Sequence, residues 1–156
     1  MKTQNLWNRF LLTNYKEKKS CNLKLHFEKG IEPDLKTLYI KLGKWLRKTY
    51  CFPLVLNVYI INAETVRLGN GKMAYGSFKW FAKRPPRIKI PSAVEPSLKY
   101  EYSNAEIYEI IISSLIHEIT HYYQWYEKTE QSNSVSERQA NYFRYKILDE
   151  FYNTKE

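Results

Sequence analysis

The stretch Leu115-Ile116-His117-Glu118-Ile119-Thr120-His121 is the part of the sequence around which the rest is organised. His117 and His121 are four residues apart, so in a helix they lie on one face, about one turn from each other. Two imidazoles in this arrangement can bind a single metal ion, and zinc favours such nitrogen ligands. Glu118 follows the first histidine and can contact a water molecule bound to the metal without being a ligand itself. The H-E-x-x-H spacing therefore predicts metal-assisted hydrolysis with Glu118 as the general base.

The sequence around this motif predicts two consecutive helices. The first runs from about Asn104 to Glu127, and Ser103 with Glu106 forms a capping-box pattern at its start. Polar residues 129–134 predict a loop, and a last helix follows from about Val135 to Tyr152. Apolar residues recur at helical spacing on the core side of the first helix: Ile112, Leu115, Ile116, Ile119, Tyr122 or Tyr123, and Tyr126.

A catalytic zinc site takes three protein ligands, so the motif needs one more. Glu137, in the first turn of the last helix, is the best candidate. Asn141 follows it on the same face, where it can hold the ring N–H of a ligating histidine. In a competing interpretation Glu137 belongs to a helix cap, because Ser134 and Glu137 also fit a capping box. Ser136 with Gln139 offers an equivalent cap that leaves Glu137 available.

Other side chains are weaker candidates for the third ligand. Cys21, Cys51 and Asp149 have suitable donor atoms but no supporting spacing. The remaining histidine, His26, lies on the polar side of a predicted strand, and we expect it at the surface.

A hydrolytic site also needs a hydrogen-bond donor for the developing oxyanion and a place for the substrate. With no spare histidine, a tyrosine or Arg144 must supply the donor. The small stretch Ala74-Tyr75-Gly76-Ser77 is typical of an edge strand approached by another backbone, where an extended substrate can add as a further strand. A β-bulge explains Gly76 equally well.

Ahead of the motif helix the sequence predicts four strands and one helix. Alternating polarity indicates a strand over Asn22–Glu28, and the β-branched run Pro53–Ile61 indicates a buried one. An amphipathic helix runs from Pro33 to about Tyr50. After the Gly69-Asn70-Gly71 turn, residues 72–81 and 87–90 are predicted to form an antiparallel pair. Residues 1–19 form either a short docked helix or a mobile basic arm.

These elements predict one α+β domain over residues 1–156. We expect a short, mostly antiparallel sheet that packs on the motif helix and on the following ligand-bearing helix. Hydrophobic residues make up 44% and aromatic residues 16% of the chain, as in folded globular proteins. No apolar run approaches the roughly 20 residues of a membrane span, no signal-peptide pattern opens the chain, and two cysteines make no disulfide framework. We therefore expect a cytoplasmic protein with no membrane contact.

The net charge of +9 is unevenly distributed. Residues 1–50 carry 12 Lys/Arg against 4 Asp/Glu, and residues 51–100 carry 8 against 2. Residues 101–156, which hold the motif, carry 5 against 10. The basic segment 1–100 can attract nucleic acid or an acidic protein partner, or it can be a solvated surface with no partner.

The motif and the segment Glu137-Arg138-Gln139-Ala140-Asn141-Tyr142-Phe143 together resemble the gluzincin pattern of ImmA/IrrE-type peptidases. The resemblance implies a small zincin-like core over residues 53–152, with His117, His121 and Glu137 as ligands of one Zn²⁺ and Glu118 as general base. SprT-like peptidases are a more distant resemblance, because their usual third histidine is absent here. The basic N-terminal portion, residues 1–50, matches neither family in any motif.

Two functions follow from these patterns. The first is a zinc-dependent peptidase that cleaves an intracellular protein or peptide substrate. The alternative is a non-catalytic, zinc-containing module that binds nucleic acid through the basic segment 1–100.

Overall fold

The computed structural model describes residues 6–15 and 22–154. The described chain contains six strands, three α-helices and two short 3₁₀ helices, Trp7–Phe10 and Pro96–Tyr100. In chain order the main elements are β1 (Leu23–Phe27), α1 (Pro33–Thr49), β2 (Leu56–Ile61), β3 (Val66–Arg67), β4 (Met73–Ala74), β5 (Ser77–Lys79), β6 (Arg87–Pro91), α2 (Asn104–Glu127) and α3 (Asn133–Asn153). The predicted α+β class is confirmed.

The main sheet has four strands in the order β1-β2-β6-β5. β1 pairs with β2 and β2 with β6 in parallel, while β5 runs antiparallel to β6. A separate two-stranded sheet joins β3 and β4. The expectation of a mostly antiparallel sheet is therefore wrong for the main sheet. α1 carries the chain back to the starting end of β1, so β2 runs in the same direction as β1. The antiparallel pairing predicted between the strands at 72–81 and 87–90 is confirmed by β5 and β6.

The core lies on the face of the main sheet that is covered by the helices. Alternate strand residues point into it, as the period of a pleated strand requires. The buried residues that line this core include Leu23, Leu56, Val58, Ile60, Ile88 and Ile90 from the sheet, Leu35, Leu42 and Leu46 from α1, Ile112, Leu115, Ile116 and Ile119 from α2, and Phe143 and Ile147 from α3. β1 and α1 thus belong to the same sheet and core as the elements of residues 53–152.

The N-terminal segment packs against the motif helix. Leu6, Trp7 and Phe10 are buried, and Trp7 Nε1 donates to Thr120 Oγ1 at 3.0 Å. The docked interpretation of the N-terminus is therefore confirmed for the described residues 6–15. The basic run Lys16–Lys19 and Cys21 lie outside the described residues.

α2 begins and ends at the predicted residues, Asn104 and Glu127. Its capping box is present: Ser103 Oγ accepts from Glu106 N at 3.2 Å, and Glu106 Oε1 accepts from Ser103 N at 2.9 Å. Lys128 then adopts a left-handed conformation with φ 55°, which ends α2 and starts the reversal toward α3. None of the helices in the described parts of the chain is long and apolar enough to cross a membrane.

Candidate metal centre

The α2–α3 hairpin brings the three predicted ligands together. His117 and His121 lie on consecutive turns of α2, and the reversal after Lys128 places the first turn of α3 opposite them. Glu137 Oε1 is 3.2 Å from His117 Nε2, and Glu137 Oε2 is 2.8 Å from His121 Nε2. One carboxylate therefore spans both imidazoles. The metal-binding donor atoms of these three residues all lie within 4.8 Å of one another.

Glu137 is available for this contact because another residue caps α3. Ser132 Oγ accepts from Val135 N at 3.3 Å and forms the N-cap. Neither proposed cap, Ser134 with Glu137 or Ser136 with Gln139, is the one observed, so both cap predictions are wrong. The helix also begins two residues earlier than predicted, at Asn133 rather than Val135, because its N-cap, Ser132, precedes both of the serines predicted as caps. The Glu137 side chain is 57% exposed, which leaves it room to turn toward a bound ion.

A buried amide network orients His121. Gln124 Nε2 donates to the Ser136 carbonyl at 3.1 Å and to Gln139 Oε1 at 2.7 Å. Because a carbonyl can only accept, the amide oxygen of Gln124 must face His121, where Oε1 lies 2.8 Å from Nδ1. The proton of a neutral His121 ring therefore belongs on Nδ1, and the lone pair of Nε2 points toward Glu137.

The role predicted for Asn141 is taken by Gln124. Asn141 is exposed, and the contact at His121 Nδ1 comes from within α2 itself. Sequence reasoning missed Gln124, although its position three residues after His121 places it next to that ring on a helix. Its full role depends on Ser136 and Gln139, which only the folded hairpin brings near.

His117 is more enclosed than His121. Its Nδ1 atom is buried and has no hydrogen-bond partner among the described residues. Burial lowers the pKa of His117 to about 4; the nearby His121 and Arg144 act in the same direction, and Glu137 opposes the shift. The ring is therefore neutral near pH 7, as a metal ligand must be.

Glu118 lies beside this cluster in a confined position. A methyl group added at Gly76 would come within 3.0 Å of Glu118 Oε2 and 3.2 Å of its Cγ. Burial and the negative charge of Glu137 raise the pKa of Glu118 to about 8, while Arg144 opposes this shift. Gly76 is therefore explained by the close approach of the Glu118 side chain rather than by a bulge or by another backbone.

The cluster opens into a cavity of about 1040 Å³. Its walls include all four residues of the stretch Ala74–Ser77, which was predicted as one edge strand. That prediction is wrong in detail, because Ala74 ends β4, Tyr75 and Gly76 form a bend, and Ser77 begins β5. β5 itself is an edge strand of the main sheet.

An aromatic wall borders the same cavity, formed by Phe78, Trp80 and Trp125. Trp125 lies 5.9 Å from Phe78 and 6.5 Å from Trp80, measured between ring centroids. Trp80 remains 58% exposed. The wall gives the cavity an apolar side next to the charged cluster.

Arg144 also lines this cavity. Its guanidinium is held against α2, since Nε donates to the Ser113 carbonyl at 3.4 Å and Nη2 to Ser114 Oγ at 3.2 Å. The structure thus brings Arg144 to the same space as His117 and Glu118.

Cys51 and Asp149, the two weaker ligand candidates that the structure describes, are not part of the cluster. Among the described residues, the group with metal-binding spacing consists of His117, His121 and Glu137, without Cys51 or Asp149. His26 is exposed as predicted, with Nε2 2.9 Å from Asn57 Oδ1.

The three residues form a donor set that could hold a metal ion. Ligand atoms of a tetrahedral zinc ion are about 3.4 Å apart. The His117–Glu137 distance of 3.2 Å is near that value, while the His121–Glu137 distance of 2.8 Å would have to open by about half an ångström. In addition, the lone pair of a neutral His121 ring faces a carboxylate oxygen at 2.8 Å. Two acceptors at that distance repel each other unless a proton or a metal ion lies between them.

Comparison with known proteins finds no matching family model, no similar curated protein and no similar solved structure. The resemblance to ImmA/IrrE-type peptidases thus stays a prediction from the motif residues.

Proposed function

We propose that this chain is a zinc-dependent peptidase. The observation that carries the proposal is the convergence of His117, His121 and Glu137 on one point, with Glu118 beside them in the same cavity. An imidazole pair and a carboxylate leave a fourth position free on a tetrahedral ion, which is the arrangement of a catalytic rather than a structural zinc site.

Zinc held by these three residues would polarise the scissile carbonyl and activate the attacking water. The charge of zinc would lower the pKa of Glu118, which burial and Glu137 raise to about 8, so that its carboxylate accepts a proton from that water as the oxygen adds to the carbonyl carbon. The same carboxyl group then gives the proton to the amide nitrogen, the C–N bond breaks, and a carboxylate and an amine leave. Arg144, whose guanidinium lines the cavity, is the proposed donor to the developing oxyanion.

The substrate is proposed to bind as an extended peptide. β5 is an edge strand, and Ser77 and Phe78 line the cavity, so a peptide strand can add beside them. The aromatic wall of Phe78, Trp80 and Trp125 would receive a large apolar side chain of that peptide. A cytoplasmic location and an intracellular protein substrate complete the proposal, because two cysteines supply no disulfide framework.

Cleavage of a complex peptide mixture tests the proposal without knowledge of the substrate. The zinc-loaded protein is incubated with a proteome-derived peptide library, and new termini are read by mass spectrometry. We expect a recurrent cleavage pattern that a chelator abolishes and zinc restores. Glu118→Gln should retain zinc and lose cleavage, by about 10²-fold or more, whereas Glu130→Gln in the exposed loop should behave as wild type.

Cleavage that persists in Glu118→Gln would contradict the proposed mechanism. Zinc bound at full occupancy with no new termini at any pH would contradict peptidase activity.

A further inference from the structure

The face of the main sheet that points away from the helices, called here the outer face, is basic and open. Strand register arranges its side chains in two rows across the sheet. All of them are exposed or partly exposed, and none is an aspartate or glutamate. The rows are Lys24, Asn57, Arg87 and Lys79, followed by His26, Tyr59, Lys89 and Ser77.

The positive charge of this face is not neutralised by the residues that the structure describes. No carboxylate of the described residues lies within ion-pairing distance of Lys24, Lys79, Arg87 or Lys89; the ion pairs involve other cations, such as Arg9 and Lys99. Glu28, which continues the face beyond β1, uses Oε1 to accept from Asn62 N at 2.7 Å. Lys79 and Arg87 lie directly opposite each other on paired strands, an arrangement that destabilises a sheet unless an anion lies nearby.

Aromatic rings lie among these cations. The Tyr59 ring is 37% exposed and stacks on His26, with centroids 4.8 Å apart and an interplanar angle of 18°. Phe81 follows β5 and has three cationic groups around its ring, with Arg84 Cζ at 4.0 Å, Lys79 Nζ at 5.4 Å and Arg87 Cζ at 5.8 Å from its centroid. Charged groups beside exposed rings are the combination that proteins use to bind phosphates and unpaired bases together.

We propose that the outer face binds single-stranded nucleic acid. Lys24, Lys79, Arg87 and Lys89 contact the phosphates, and the Tyr59–His26 stack accepts a base. A single strand fits better than a duplex, because the exposed rings of the outer face can stack on base faces that are covered by neighbouring base pairs in a duplex. It also fits better than an acidic peptide, because carboxylate side chains have no planar base to stack on the Tyr59 and His26 rings. The proposal is independent of peptidase activity, since none of these four cations lines the cavity of the metal centre.

Fluorescence anisotropy with labelled oligonucleotides of about 20 residues, one of thymidine and one of uridine, tests the proposal across a salt series. We expect binding that weakens as salt rises, because bound cations release counterions from the phosphates. Replacing Lys79, Arg87 and Lys89 together by glutamine should reduce the slope of log K against log salt by about 2, at about 0.7 for each cation. Tyr59→Leu should weaken binding about tenfold through lost stacking.

A matched control removes the same charge elsewhere. Lys41, Lys44 and Lys48 are exposed on α1, on the other side of the sheet, and their joint replacement by glutamine should leave the slope unchanged. An equal loss in this control would overturn the proposal, as would no binding at low salt. Tighter binding of a duplex would overturn the choice of a single strand. If poly-glutamate fully displaced the oligonucleotide and Tyr59→Leu did not weaken oligonucleotide binding, the outer face would be assigned to an acidic protein instead.

Discussion

At the scale of single residues, the candidate site depends on side chains that hold the proposed ligands in place as well as on those ligands themselves. Gln124 Oε1 faces His121 Nδ1 at 2.8 Å, while its amide nitrogen is tied to Ser136 and Gln139. The network fixes the His121 ring and joins the end of α2 to the start of α3. It therefore sets the distance from His121 to Glu137 as well as the orientation of the ring.

We expect Gln124→Leu to weaken zinc binding by about 10- to 100-fold, because the ring loses the acceptor that fixes its Nδ1 proton. Competition with a zinc indicator measures the affinity, and circular dichroism confirms that the helices persist. Asn141→Ala is the matched control and should bind zinc as the wild type does, since Asn141 is exposed. Weaker binding in Asn141→Ala alone would restore the role that the sequence suggested for Asn141.

At the scale of elements, the segment between β4 and β5 packs closely against α2 at Glu118. Gly76 has no side chain, so its backbone can approach Glu118, whose Oε2 would be 3.0 Å from an added Cβ. The position of Glu118, the proposed general base, is thereby set by a strand connection as well as by α2.

Gly76→Ala should reduce the proposed cleavage about tenfold while zinc binding stays unchanged, because Glu118 must shift by a few tenths of an ångström. Rates on the best peptide from the library and the zinc content measure the two effects separately. Gly69→Ala is the control, since an added Cβ there meets nothing within 4 Å. Unchanged cleavage in Gly76→Ala would show that the contact does not position the base.

The helices could be predicted from the sequence because their signals are local. Ser103 and Glu106 mark the start of α2 by direct contact, and Pro33 marks the start of α1. Strand direction could not be predicted in this way. Alternating polarity at Leu23–Phe27 shows which side is buried but not which strand pairs with it, and the parallel pairing with β2 follows from the crossover through α1.

The same difference between local signals and contacts of distant elements applies to the candidate site. The spacing of His117 and His121 is a local signal. Glu137 could be inferred because a helix that follows α2 after a short loop has few ways to pack back against it. The spacing of His121 and Gln124 is also local, but the contacts of Gln124 with Ser136 and Gln139, and the Glu118–Gly76 contact, depend on pairs of elements that meet only in the folded chain. Sequence spacing carries no signal for such meetings.

At the scale of the whole molecule, one fold presents two chemically different surfaces. The acidic C-terminal part of the sequence forms the α2–α3 hairpin with its candidate metal centre, and the basic part supplies all the described strands. The outer face concentrates cations from β1, β5 and β6 on the side of the sheet away from the helices. The charge asymmetry of the sequence thus corresponds to different surfaces of the folded protein.

Zinc content per chain tests the central claim most directly. The protein and its variants are loaded with zinc, desalted, and analysed by mass spectrometry of the metal. We expect about one zinc per chain in the wild type and in Glu118→Gln, and almost none in His117→Ala, His121→Ala or Glu137→Ala. No zinc in the folded wild-type protein, or full zinc content in all three ligand variants, would contradict the account.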